Sequence, residues 1–170
     1  MKKLVAAAAL LGLPLVSSAA FMDADWAKKA CEAWNADPTL TQELAPKWVG
    51  NNGGRGYKVI LMYRDKCGPD SKVQLTIAPK DGKAMCVYGG KPDDKAAKFD
   101  KSMDYEMHAK DKHWACMGAG KFGCGAMGAM ATGKLKFTGP KGEAMSVMGP
   151  FGRFLKLTGE LGGDMSSCPN

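Results

Sequence analysis

Six cysteines, twelve methionines and two histidines are the side chains whose chemistry could define this chain. Cys31, Cys67, Cys86, Cys116, Cys124 and Cys168 contain no C-x-x-C pair, so the ligand spacing of a structural zinc site or a thioredoxin-like redox site is missing. An even set of widely spaced cysteines reads instead as three disulfides formed in an oxidising compartment. The expected pairs are Cys31–Cys168, Cys67–Cys86 and Cys116–Cys124, the second from the strand order below and the third from its short gap. His108 and His113 straddle a strand-to-helix turn and read as exposed polar residues. No G-x-S-x-G elbow and no H-E-x-x-H motif occurs, which leaves nucleophilic and zinc-protease chemistry without support.

The methionines are the anomaly. Met127/Met130 and Met145/Met148 form M-x-x-M pairs at helical spacing. Thioethers in an oxidising space can ligate Cu(I). They can also line an apolar cavity that adapts to ligands of variable shape, or merely fill a loose core. Their spacing among Phe122, Phe137, Phe151 and Phe154 favours the adaptable cavity, with a periplasmic Cu(I)-binding protein as the alternative. Two phosphate-loop lookalikes carry little. Gly118–Gly123 matches G-x-G-x-x-G but follows a predicted helix rather than a strand, and Gly128–Lys134 has Leu135 where a magnesium-binding hydroxyl is required.

The elements that position these residues follow from periodicity. Asp23 caps a helix with the apolar face Trp26, Ala27, Ala30, Cys31 and Trp34. Asp37-Pro38 starts a second helix carrying Leu40, Leu44 and Trp48, which Pro46 shortens or bends. Alternation over 57–64, 73–77 and 83–88 predicts a three-strand meander with a hairpin at Asp81-Gly82. In that meander the ends of strands one and three lie on one side, which motivates the Cys67–Cys86 pair. A crossover over 89–103 leads to a strand at 105–109, a short helix capped by Asp111, a Gly/Ala/Met-rich helix and a strand around Leu135 and Phe137. Two closing helical segments are expected on either side of Gly149-Pro150. The whole reads as one mixed α/β (α+β) sheet with helices on a face.

Residues 1–20 stand apart. Lys2 and Lys3, an apolar run from Leu4 to Val16, and Ser17-Ser18-Ala19-Ala20 make the pattern of a secretory leader cleaved after Ala20. That leaves residues 21–170 as a single domain in the periplasm, and no cofactor is expected. The charge of +7 falls to +5 without the leader and is spread out, with only Arg55, Arg64 and Arg153 as arginines. This gives no stripe for nucleic acid, and at most a weak attraction to anionic lipid.

Three passages resemble the sterol carrier protein type 2 (sterol-binding) domain family. GAMGAMATGKLKFTGPKGEAMSVMGPFGRFLKL is similar to its final helix–strand–helix. VQLTIAPKDGKAMCVYGG resembles its central hairpin, and DYEMHAKDKHWACMGAGKF its fourth strand and following helix. The resemblance spans roughly residues 40–160. It implies a five-stranded mixed sheet with helices over one face, and an apolar tunnel between the layers. It also implies a non-enzymatic carrier of a sterol-like, hopanoid or fatty acyl lipid. The expected wall is Trp114, Met117, Phe122, Met127, Met130, Met145, Met148, Phe151, Phe154 and Leu155. The last segment, with Arg153 and Lys156 opposite Phe151, Phe154 and Leu155, would act as a lid, touch an anionic membrane transiently, or be an ordinary amphipathic helix.

Overall fold

Three helices precede the sheet. In the computed structural model, which describes residues 19–45 and 47–169, α1 spans Ala24–Ala36 and buries the face that periodicity predicts: Trp26, Ala27, Ala30, Cys31 and Trp34. Asp23 caps it by accepting from the Trp26 amide at 2.7 Å. Asp37 caps α2 (Pro38–Glu43), accepting from the Thr39 amide at 2.9 Å. The expected second helix then stops, and Trp48 sits on a separate turn, α3 (Lys47–Gly50). Residues 1–18 of the expected leader 1–20 lie outside the described residues. Where the chain is described it is anchored, since Ala20 bridges Asp164 and Phe21 and Met22 are fully buried.

The sheet contains β1 (Lys58–Arg64), β2 (Val73–Lys80), β3 (Lys83–Gly90), β4 (Tyr105–Ala109) and β5 (Lys136–Thr138), in the order β3-β2-β1-β4-β5. β1 and β4 are parallel, and every other neighbouring pair is antiparallel. This is the expected five-stranded mixed sheet. Asp81 and Gly82 both take positive φ (51° and 72°), the conformation a two-residue hairpin demands. Between β4 and β5 lie α4 (Asp111–Gly118) and α5 (Ala126–Ala131); after β5 come α6 (Lys141–Ser146) and α7 (Met148–Leu161).

The helices cover one face of the sheet. On β1 that face carries Lys58, Ile60, Met62 and Arg64, which alternate with Val59 and Leu61. The crossover after β3 packs on the opposite face, where the Gln74 side chain donates to the Asp93 carboxylate and accepts from the Asp93 amide. Asp104, fully buried, closes the crossover by pairing with Arg55 at 2.7 Å and accepting from the Val59 amide.

Three expectations need correction. The disulfides are Cys31–Cys86, Cys67–Cys168 and Cys116–Cys124; Cys31–Cys168 and Cys67–Cys86 do not form. β2 lies between β1 and β3, so the end of β1 is two strand spacings, about 10 Å, from β3. That exceeds the Cα separation a disulfide tolerates. Cys86 instead faces the helical layer, where α1 approaches so closely that a Cβ on Gly89 would lie 2.2 Å from the Ala27 carbonyl oxygen. The closing helices separate at Val147, while Gly149-Pro150 lies in the first turn of α7. Proline fits there because first-turn amides have no intrahelical acceptor. Finally, Asp111 is the first helical residue of α4, and its carboxylate binds Arg64 rather than capping the helix.

Candidate functional site

An aromatic seam runs between sheet and helices. Ile60, Tyr105 and Met107 form its floor, Trp34, Leu44 and Trp48 one side, and Val147, Pro150, Phe151 and Phe154 the other. The aromatic rings interlock edge to face: Trp34 meets Phe154 at 5.5 Å, and Tyr105 meets Trp48 at 5.6 Å and Phe151 at 6.1 Å. Such contacts add roughly 0.5–1.5 kcal/mol each beyond area burial. The seam presents no polar surface to its interior, and its free volume is about 20 Å³. The expected tunnel is therefore closed, with room for about one water-sized sphere.

One end of the seam is polar. Lys58, wholly buried, pairs with Glu143 at 2.5 Å and lies 4.4 Å from the Trp48 ring centre and 5.2 Å from that of Tyr105. The Tyr105 hydroxyl donates to the same Glu143 oxygen at 3.0 Å, and the Asn51 amide donates to the other. Burial pushes the Lys58 pKa down, against the upward pull of Glu143. Burial, and then the Glu143 charge, push the Tyr105 pKa up. The Trp48 indole N–H is near enough to the Tyr105 oxygen to favour its ionised form. It makes no hydrogen bond, however, and is left buried without an acceptor. An open cleft of about 360 Å³ lies outside this cluster; it is lined by Glu43, Lys47, Trp48, Glu143 and Val147, and shares Trp48 and Val147 with the seam.

The predicted wall residues scatter. Phe151 and Phe154 line the seam. Trp114, Met117 and Leu155 are buried in the core away from it, and Met148 is half-buried against the core. Met127, Met130 and Met145 line a separate open groove of about 420 Å³ with Phe137, Lys136 and Lys141. Phe122 is fully exposed at 107%. The apolar side of α7 is core, and Arg153 is held by Asp37 and Glu160, which raise its pKa. The lookalike glycine motif closes a helix: Gly118 ends α4 where a Cβ would lie 2.6 Å from Gly159 of α7. His108 stacks on Tyr63 and bonds Asp65, while His113 faces the Lys134 carbonyl. Trp34 and Trp48, expected only as apolar faces of helices, line the seam with Ile60 and Tyr105, and neither they nor the Lys58–Glu143 pair are among the site residues the sequence predicts. The readable signal was Lys58 standing in the same alternating set as Ile60 and Met62.

No family model matches the chain, and no curated protein matches it. Among solved structures, the crystal structure of a sterol carrier protein 2 superposes with a TM-score of 0.52 at 14% identity, over 82% of this chain and 97% of that one. A conserved protein from Thermus thermophilus gives 0.42 at 15% identity over 89% and 98%, and a UbiJ-SCP2 ubiquinone synthesis protein gives 0.35 at 10% over 77% and 96%. The first superposition establishes a shared fold.

Proposed function

We propose that this protein, built on the sterol carrier protein 2 fold, is an exported, non-enzymatic lipid carrier whose ligand tail enters the aromatic seam. The observation that carries the reading is the seam itself, an apolar layer boundary without interior polar surface that shares Trp48 and Val147 with an open cleft. Burial of an acyl tail is worth about 25 cal/mol per Å² of apolar area, so about 300 Å² gives roughly 7 kcal/mol before ordering costs. Since the seam is closed, loading requires α6 and the start of α7 to part from α3. Export is supported by three disulfides.

Membrane contact is assigned to the methionine groove rather than to α7. No acidic residue occurs between Asp111 and Glu143, whereas Lys112, Lys121, Lys134, Lys136 and Lys141 do, around exposed Phe122, Met127 and Met145. Cations around exposed apolar tips suit an anionic lipid surface. The Cu(I) reading is favoured by one observation, three thioethers lining one groove, and opposed by the two lysines on its rim.

Native mass spectrometry of gently purified protein, combined with brominated-lipid quenching of tryptophan fluorescence, tests the carrier. A lipid adduct is expected, with quenching that drops in Trp34→Phe. No adduct and no quenching overturns it, and a copper adduct lost on Met127→Leu with Met130→Leu supports the alternative.

A further inference from the structure

Burying a lysine in an apolar layer is expensive unless an anion accompanies it. Lys58 starts β1 on the helix-facing side with no exposed surface, and the anion comes from α6, a six-residue helix. That helix follows Gly139 (φ 153°) and Pro140 and ends at the Val147 break. Around the Glu143 carboxylate are the Lys58 ammonium, the Tyr105 hydroxyl and the Asn51 amide; beside them lies the Trp48 N–H with nothing to donate to. The donor set therefore exceeds what Glu143 uses.

We propose that this cluster is a head-group site for an anionic amphiphile, a fatty-acid-type carboxylate whose tail lies in the seam. The inference rests on the carrier reading. Glu143 acts as a resident stand-in for the ligand carboxylate. A carboxylate arriving through the outer cleft takes its place between Lys58 and Tyr105, accepts the orphan Trp48 N–H, and releases α6 outward. In the cleft Glu43 and Lys47 offset each other, leaving Lys58 as the selecting charge. A neutral alcohol or sterol that displaced Glu143 would leave Lys58 buried without an anion. The same latch that closes the seam thus selects for charge.

The test compares dodecanoate with 1-dodecanol, titrated into the full disulfide-bonded protein and followed by tryptophan fluorescence. Dodecanoate is expected to bind at least about tenfold more tightly than the alcohol, as a charge-assisted contact warrants. Lys58→Met should bring that ratio to about one, since neither probe then meets a buried cation. Glu143→Gln, which removes the competing anion and keeps the shape, should tighten dodecanoate more than the alcohol and so raise the ratio. Should Lys58→Met fail to fold, Lys58→Met with Glu143→Gln leaves no charge unpaired and should also show a ratio near one. Equal binding of the two probes to the unaltered protein, or an unchanged ratio in the variants, overturns the head-group site and leaves the carrier standing. Binding of neither probe overturns both.

Discussion

Two regions of this molecule are rich in polarizable apolar side chains, and they are built oppositely. The seam between sheet and α7 is aromatic, interlocked and shut, with its one cation wholly enclosed. The groove beside α5 and β5 is made of methionines, open, and edged by exposed lysines. Rigid rings with few torsions hold a packed boundary, whereas flexible thioethers tolerate solvent and changing contacts. Residue type thus separates the surface suited to a fixed tail from the surface suited to a disordered bilayer.

The sharpest way to break this contrast is to truncate one ring of the seam and one ring that is fully exposed. Phe154→Ala, which removes the edge contact to Trp34, should cost about 4 kcal/mol in urea unfolding and weaken tail binding. Phe122→Ala should change stability by less than about 0.5 kcal/mol. Comparable losses at both positions would show that Phe122 packs in solution and that enclosure in the seam is not what makes a ring stabilising.

The bridges offer a second comparison. Cys31–Cys86 pins α1 to β3 across 55 residues, while Cys116–Cys124 closes only 8 residues beside the methionine groove. Replacing each pair with serines should cost about 4 and about 2.5 kcal/mol respectively on chain-entropy grounds. The reverse order in thermal melts would place the stabilising constraint on the groove side.

Legibility follows the same division. The face of α1, the caps Asp23 and Asp37, the hairpin at Asp81-Gly82 and the strand content could be read from local periodicity and turn chemistry, since those signals act within a few residues; the expected cap Asp111 could not, because its partner Arg64 is remote in sequence. The disulfide partners depended on β2 intervening between β1 and β3, a long-range fact that alternation does not carry. The wall residues failed for a related reason. Met127, Met130 and Met145 have the helical spacing of a buried stripe, but α5 and α6 are only six residues each and turn Met127 and Met145 toward solvent, while Met130 packs half-buried against the core. Lys58 and Arg64 went unnoticed because a cation at a strand end reads as exposed until a helix delivers its carboxylate.

The lysines of the groove should matter for membranes and not for folding. Lys136→Glu with Lys141→Glu should lower binding to phosphatidylcholine vesicles containing phosphatidylglycerol by at least about thirtyfold, at about 1 kcal/mol per lost cation. It should leave the melting temperature and dodecanoate binding nearly unchanged. Loss of dodecanoate binding in this variant would join the two regions into one site.

The smallest expected effect compares the two ends of β1, where each buried cation meets a carboxylate from the first turn of a helix. At the far end, Arg64 holds Asp111 at 2.7 Å and also donates to the Met165 and Ser167 carbonyls, tying down the tail that carries Cys168. The hydrogen bonds from Arg64, outweighing desolvation, hold the Asp111 pKa below its ordinary 3.8. A carboxylate with a depressed folded pKa stabilises the fold fully above its unfolded value and loses that contribution as pH falls through the folded one. Asp111→Asn should therefore be less stable than the unaltered protein at pH 7, with the gap narrowing below pH 3.8 as the unaltered protein loses the Asp111 charge. At the near end the sign is reversed. Burial lowers the Lys58 pKa from 10.5, so the fold is penalised while Lys58 is charged and gains stability as pH rises through the lowered value toward 10.5. Unfolding measured in urea across pH should show the acid change in Asp111→Asn alone and the alkaline change in Lys58→Met alone. A single variant altering both limbs would mean that the strand couples its two ends, and that the head-group latch and the tail anchor move as one.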